Sequence, residues 1–194
     1  TIKQITPRCE GSLKKSFDML KEKLRQEGLF DEAKKRILSA RPQNIAVISS
    51  TQAAGYAYFV KIINERWGGM KVRVAHTQVQ GMNAPDQIIR AIDYFNQIAD
   101  LPEVIVIIRG GGSADDLAAF NDERLVRKIA SSRVPILTGI GHEIDESLAD
   151  LAADLAASTP SNAAQLLTPD KKHEVALINS KVWRFSRDVL RELS

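Results

Sequence analysis

The stretch VIVIIRGGGSADDLAAFNDE, residues 104–123, passes from an apolar pentapeptide through one arginine into three consecutive glycines, and then into a polar run with helical spacing. An unbroken Val/Ile run suits a strand covered on both faces of a parallel sheet, where neither face meets water. The glycines then fall on a strand-to-helix turn. Glycine lets the backbone approach a ligand closely, and the N–H groups that open the next helix have no intrahelical partner and favour an anion. Arg109 beside such a nest points to phosphate. A ligand-free tight turn is the bland explanation of the same glycines. Neither GxxxxGK[ST] nor GxGxxG occurs in the chain, so a nucleotide cofactor is not indicated.

Outward from this stretch the chain alternates regularly. GSLKKSFDMLKEKLRQEGLF (11–30) places Leu13, Phe17, Leu20 and Leu24 on one helical face, with Gly28 as the stop. NIAVISS (44–50) reads as a strand, and AAGYAYFVKIINERW (53–67) as a helix closed by Gly68 and Gly69. KVRVAHTQV (71–79) is a strand, APDQIIRAIDYFNQIA (84–99) a helix and VIVIIR (104–109) a strand. SADDLAAFNDERLVRKIASS (113–132) reads as one helix, capped by Ser113 with Asp116 at the third position. PILTGIG (135–141) is a strand and DESLADLAADLAA (145–157) a helix. The pattern predicts an open, mainly parallel, flavodoxin-like or Rossmann-like α/β sheet with helices on both faces. It divides into a helical lead-in over 1–44, an α/β domain over 45–168 and the start of a helical region over 169–194.

The 194 residues, 44% of them hydrophobic, suffice for one good core with a helical appendage. The single cysteine, Cys9, excludes an intrachain disulfide and fits a reducing compartment. Neither a signal peptide nor an apolar run of about 18 residues is present, so a cytoplasmic protein without membrane contact is expected. Charge is uneven. Residues 1–44 hold 11 Lys+Arg against 6 Asp+Glu, residues 45–168 hold 10 against 14, and residues 169–194 hold 6 against 4. Basic flanks fit a polyanionic partner, although solvated helix faces account for most such residues.

In open α/β sheets ligands bind beyond the carboxyl ends of the strands, where the connections change direction. For a strand order 2-1-3-4 that point lies between the first and third strands. Three polar, glycine-bearing loops would converge there: SSTQAAG with Ser49, Ser50 and Thr51; RGGGS with Gly110, Gly111, Gly112 and Ser113; and GIGHEIDES. In the last, His142 and Asp145 are three residues apart, so imidazole and carboxylate can share a face. Histidine suits proton transfer near neutral pH, and a carboxylate can hold its tautomer and stabilise its charged form. Taken alone, His142 as a turn cap and Asp145 as a helix N-terminal charge are the simpler readings. His76 is expected further from the switch point, structural or lining the substrate, and His173 has no spaced partner for a metal. Asp115, Asp116 and Glu123 are metal-ligand types whose helical placement fits capping and surface charge better, so no metal site is predicted.

Residues 109–154, RGGGSADDLAAFNDERLVRKIASSRVPILTGIGHEIDESLADLAAD, followed by TPSNAAQLLTPD (159–170), resemble the catalytic domain of the exodeoxyribonuclease VII large subunit. LKEKLRQEGLFD (20–31), IAVISS (45–50) and TQVQG (77–81) resemble it in the same order, so the likeness runs from about Gly11 to Asp170. The resemblance implies processive cleavage of single-stranded DNA from either end, with short 5′-phosphorylated products. It implies no required cofactor and no required divalent metal, magnesium being left open. It assigns catalytic roles to Arg109, His142 and Asp145. It also implies an N-terminal OB-fold and a long C-terminal helical region that gathers several small subunits. Neither is legible here, so the chain reads as an excised domain. Two positions depart from the pattern: Tyr58 stands where an aspartate is typical, and Ala156 where an arginine often precedes the TP turn. They leave open a catalytically impaired scaffold of the same assembly. A phosphate- or nucleotide-binding flavodoxin-like domain rests on topology alone.

Residues 170–193 predict a helix of about 36 Å. Its stripe of Val175, Ile178, Val182, Phe185, Val189 and Leu190 is expected to pack partly on the domain and partly on a partner or a second copy of the chain.

Overall fold

The computed structural model describes residues 8–110, 114–141 and 147–192. Five parallel strands, β1 (Asn44–Ser49), β2 (Lys71–His76), β3 (Val104–Ile108), β4 (Ile136–Gly139) and β5 (Leu155–Ala156), form one sheet in the order β2-β1-β3-β4-β5. The helices are α1 (Arg8–Gln26), α2 (Ala54–Arg66), α3 (Ala84–Gln97), α4 (Glu123–Ala130), α5 (Leu148–Ala152), α6 (Pro160–Leu167) and α7 (Lys171–Glu192). The expected 2-1-3-4 order is therefore present, extended by one short edge strand. The connections reverse direction between β1 and β3.

All five residues of β3 are buried, as a central strand covered on both sides requires. Because successive side chains point to opposite faces, β1, β3 and β4 each feed two cores. Ile45, Val47, Val106, Ile108 and Leu137 pack against Phe59 and Ile63 of α2 and Leu167 of α6. Ala46, Ile48, Ile105, Ile107 and Ile136 face the other way, toward Ile88, Ile92 and Phe95 of α3, Leu125 and Ile129 of α4, and Leu148 of α5. Each fully buried Leu, Ile or Phe contributes roughly 1.5–3 kcal/mol.

The second core also holds Leu24 of α1, with Phe17 and Leu20 packed at its margin, which joins the helical lead-in to the sheet. Helix α1 ends as predicted at Gly28, which takes φ 73°. Gly28 N–H donates to the Arg25 carbonyl at 2.9 Å, and Leu29 N–H to the Leu24 carbonyl at 3.1 Å. This is the paired C-terminal closure that needs a left-handed residue, which glycine supplies without strain.

Two predicted helices are shorter than expected. The segment 113–132 is a 3-10 run over Ala114–Asn121 followed by α4, whose N-cap is Asp122. The Asp122 carboxylate accepts from Arg124 N and Leu125 N at 2.8 and 3.2 Å, a local alternative to continuing the preceding turn. The cap proposed at Ser113 and Asp116 lies outside the described side chains. The segment 145–157 gives only α5, capped by Ser147 with Asp150 in a reciprocal capping box, before the chain straightens into β5. The cause is a long-range contact. Asp154 accepts from Ile136 N at 2.7 Å, from Arg36 N at 2.8 Å and from the Arg36 guanidinium at 2.9 and 2.7 Å. That anchorage overrides the helical preference of the Leu/Ala run.

Helix α7 is present as predicted, with most of its described side chains exposed. Val175, Ile178, Val182 and Phe185 are 47–70% exposed, while its first turn is tied down by Arg41–Glu174 at 2.6 Å. Leu13, Val189 and Leu190, the remaining expected stripe positions, lie outside the described side chains.

Candidate active site

The rim at the carboxyl ends of β1, β3 and β4 is closed by small residues. A Cβ placed on Gly55 would lie 2.9 Å from Gly110 Cα, 3.0 Å from the Arg109 carbonyl oxygen and 3.0 Å from Pro160 Cγ. The starts of α2 and α6 and the exit of β3 therefore meet at one point. A Cβ on Gly110 would meet Ala53 Cβ at 3.0 Å, so the same closeness holds from the other side. Helix α2 has Ala53 at its N-cap and makes no side-chain cap hydrogen bond. The first turn of α2 thus opens beside the β3 exit without a side-chain cap from its N-cap residue, and the amide dipoles of a helix start favour negative charge.

Arg109 lies beneath this junction, 4% exposed, with Nη1 donating to the Ile140 carbonyl at 3.5 Å. The cation is held in a poorly solvated place, where charge acts over distance more strongly than in water. It also couples the exit of β3 to that of β4, two residues before His142. Ser49 is fully buried in β1 and its carbonyl accepts from Thr77 N at 3.0 Å, so it serves as scaffold beneath the rim. Ser50 is half-buried and Thr51 exposed. Gly111, Gly112, Ser113, His142 and Asp145 lie outside the described residues.

His76 is closer to the rim than its place in the sequence indicated. Its Nδ1 accepts from Thr51 N at 3.2 Å and lies 2.9 Å from Thr51 Oγ1. Accepting from a backbone N–H requires a lone pair on Nδ1, which places the ring proton of the neutral form on Nε2. The imidazole therefore latches the loop after β1 to the end of β2.

Between these loops opens a cleft of about 820 Å³, lined by Ser50, Gln52, Gln78, Gln80, Met82 and Asn83 among others, with Gly110 at its edge. It occupies the switch point, where an α/β sheet binds its ligand. Sequence reasoning missed the contribution of TQVQG and Asn83. The signal lay in the strand order itself, since β2 neighbours β1 and its loop must flank SSTQAAG. A second cleft, of about 410 Å³, lies at the opposite end between α4, α5 and residues 27–36. Its cations Lys34, Lys35, Arg36 and Arg127 are paired with Asp31, Glu32, Asp154 and Glu27, which marks it as structural.

Among the described residues no three His, Cys, Asp or Glu side chains cluster as metal ligands would. The Asp115 and Asp116 side chains fall outside that set. Among the same residues no helix is long and apolar enough to cross a membrane.

Residues 29–194 match the family described as Exonuclease VII, large subunit. The chain belongs to that family. It is 44% identical over 167 residues to the exodeoxyribonuclease 7 large subunit of Cyanothece sp., covering 86% of this chain and 39% of the relative. The corresponding protein of Stenotrophomonas maltophilia is 47% identical over 171 residues, 87% of this chain and 38% of the relative. That of Hamiltonella defensa is 40% identical over 185 residues, 95% and 41%. The chain thus spans about two fifths of the length of these exonuclease VII large subunits. Of the two positions at which it departs from the expected pattern, Tyr58 is 59% exposed on α2 and Ala156 is exposed on the edge strand β5.

Proposed function

We propose that this chain is the catalytic part of a nuclease that hydrolyses phosphodiester bonds of single-stranded DNA from either end, leaving short 5′-phosphorylated products. The observation that carries the reading is the meeting of Arg109, Gly110 and the uncapped start of α2 at the switch point of a chain from this family. A backbone nest beside a poorly solvated cation is suited to a phosphoryl group and to the extra charge of its transition state.

In the mechanism we propose, Arg109 and the N–H groups of Gly110, Gly111, Gly112 and Ser113 hold the scissile phosphate, and Ser50 and Thr51 bound it on the β1 side. Water adds to phosphorus, one P–O ester bond breaks, and the departing oxygen acquires a proton. His142, oriented by Asp145, moves that proton or the one leaving the water. A positioned proton-transfer group is worth about 10²–10⁴-fold. The donor set, a cation with amide N–H groups for charge and an imidazole for the proton, supports a reaction in which no divalent metal is required. In the full-length protein His142→Ala should abolish degradation while single-strand binding persists; retained cleavage overturns the assignment.

The whole protein is proposed to hold the strand with an additional single-strand-binding domain and to gather small subunits through its helical region, in the cytoplasm. The exposed apolar side chains of α7 support burial in such an assembly, against small subunits or a second copy. A catalytically impaired scaffold is the second reading, favoured by Tyr58 in place of a carboxylate and Ala156 in place of an arginine. Tyr58→Asp separates the two: a rise in cleavage from a silent wild type supports the scaffold, and an already active wild type excludes it.

A further inference from the structure

We infer that the cleft between the loops after β1 and β2 is a nucleobase subsite, which takes the base next to the phosphate held at Gly110 and accepts all four bases. The inference rests on the function proposed above and assigns residues that the proposed chemistry leaves unused. The cleft's volume of about 820 Å³ lies within the range of ligand pockets, about 300–1,000 Å³. Among the described residues no charged side chain lines it. Among those residues a phosphate would find no cation, whereas the buried Arg109 directly precedes Gly110 at the cleft's edge. Besides small and aliphatic residues, the lining includes Ser50, the amides of Gln52, Gln78, Gln80 and Asn83, and the thioether of Met82. An amide carries a donor and an acceptor side by side, so a set of amides can meet the polar edge of any base without selecting one. That tolerance suits an enzyme that must pass every base of a strand.

The β2 loop is built to present these groups. Val79 is 4% exposed and anchors it in the core, and Gly81 turns it at φ 82°. The residues flanking that turn, Gln80 and Met82, are exposed, Met82 to 96%. Gln78 is fixed from behind: its N–H donates to Gln87 Oε1 at 2.8 Å, and Gln87 Nε2 donates to its Oε1 at 3.1 Å. Met82 at the mouth of the cleft offers a base face a flexible, polarizable contact. The latch from Thr51 to His76 holds the opposite wall.

The test uses the full-length protein in its native assembly and single strands in which one nucleotide is replaced by an abasic tetrahydrofuran residue, moved one position at a time. The wild type should be slowed when the gap falls at one fixed distance from the bond being cut, with KM raised about tenfold and kcat little changed. The Gln80→Ala/Met82→Ala double variant, altered only at exposed positions, should cut the unmodified strand with that raised KM and ignore the gap. Gln80→Asn in an otherwise wild-type loop, which keeps donor and acceptor, should retain the position dependence. Indifference of the wild type to the gap, or unchanged position dependence in the double variant, overturns the subsite while leaving the proposed nuclease intact. Absence of any cleavage of single strands by the wild type overturns the nuclease reading and the subsite with it.

Discussion

Gly55→Ala tests whether the junction of α2, α6 and the β3 exit sets the geometry of the site. The added methyl carbon would lie 2.9 Å from Gly110 Cα and 3.0 Å from the Arg109 carbonyl oxygen, both backbone atoms, with Pro160 Cγ at 3.0 Å closing the third side. Relaxing the first contact to an ordinary carbon–carbon separation of about 3.5 Å needs a shift of about 0.6 Å between α2 and the phosphate turn. Overpacking of this kind costs about 1–3 kcal/mol, and the better helix propensity of alanine returns up to about 1 kcal/mol. Stability should therefore fall by about 1–2 kcal/mol. Catalysis should suffer more, because misplacing a reacting group by about 1 Å can cost about 10²-fold. We expect kcat/KM on single-stranded DNA to drop on the order of ten- to a hundredfold in the full-length protein, at temperatures where denaturation curves show the variant folded. Gly68→Ala is the comparison. There the new carbon meets nothing nearer than the Asn64 carbonyl oxygen at 3.8 Å, and the backbone is not left-handed. It should stabilise by about 0.4–1 kcal/mol or be neutral, with full activity. Wild-type cleavage by Gly55→Ala, or equal losses in the two variants, would refute the reasoning.

Asp154→Ala should destabilise by about 3 kcal/mol in a denaturant titration. It strands the Ile136 and Arg36 N–H groups and the Arg36 guanidinium, but that side chain is 35% exposed and solvent screens part of the loss. Burial pushes the Asp154 carboxyl up, but the hydrogen bonds from Arg36 and Ile136 outweigh it and hold the group below its ordinary value. Its contribution is then present above the unfolded carboxyl pKa of about 3.9 and lost as pH falls through the lower folded value. Melting temperature followed from pH 6 down to pH 3, roughly that acid window, should fall more steeply in the wild type than in Asp154→Asn. Cleavage in EDTA should match cleavage in magnesium, and a complete loss in EDTA restored by magnesium would point to a metal held by residues of ligand type such as Asp115, Asp116 or Glu123. Single-strand binding should weaken steeply with added salt, since phosphate contacts release counterions.

How much was legible can be judged on single elements. The five buried residues of β3, the left-handed stop at Gly28 and the 22-residue α7 all follow from patterns local to their segments. Solvent and backbone sterics act on a few neighbouring residues at a time, so such patterns survive in one dimension. The break at Asp122 was also local but overlooked, because a continuous apolar period masked a capping carboxylate. Strand β5 was not legible. LADLAA carries a helical pattern, and what straightens the chain after Ala152 is a guanidinium from Arg36, 118 positions earlier.

For the site, the sequence by itself determined the kinds of groups available: an arginine before glycines, hydroxyls after the first strand, a histidine with an aspartate three residues on. Those are properties of residue types and of the turns that follow strands. Which loops face one another was decided only by the sheet. The order β2-β1-β3-β4-β5 sets the β1 loop beside both the β2 loop and the β3 exit. From that follow the Thr51–His76 latch, the contact of Gly55 with Gly110, and an amide-lined cleft assembled from three separate segments. Strand order depends on which apolar faces bury best together across the whole chain, a nonlocal free energy that no short stretch carries.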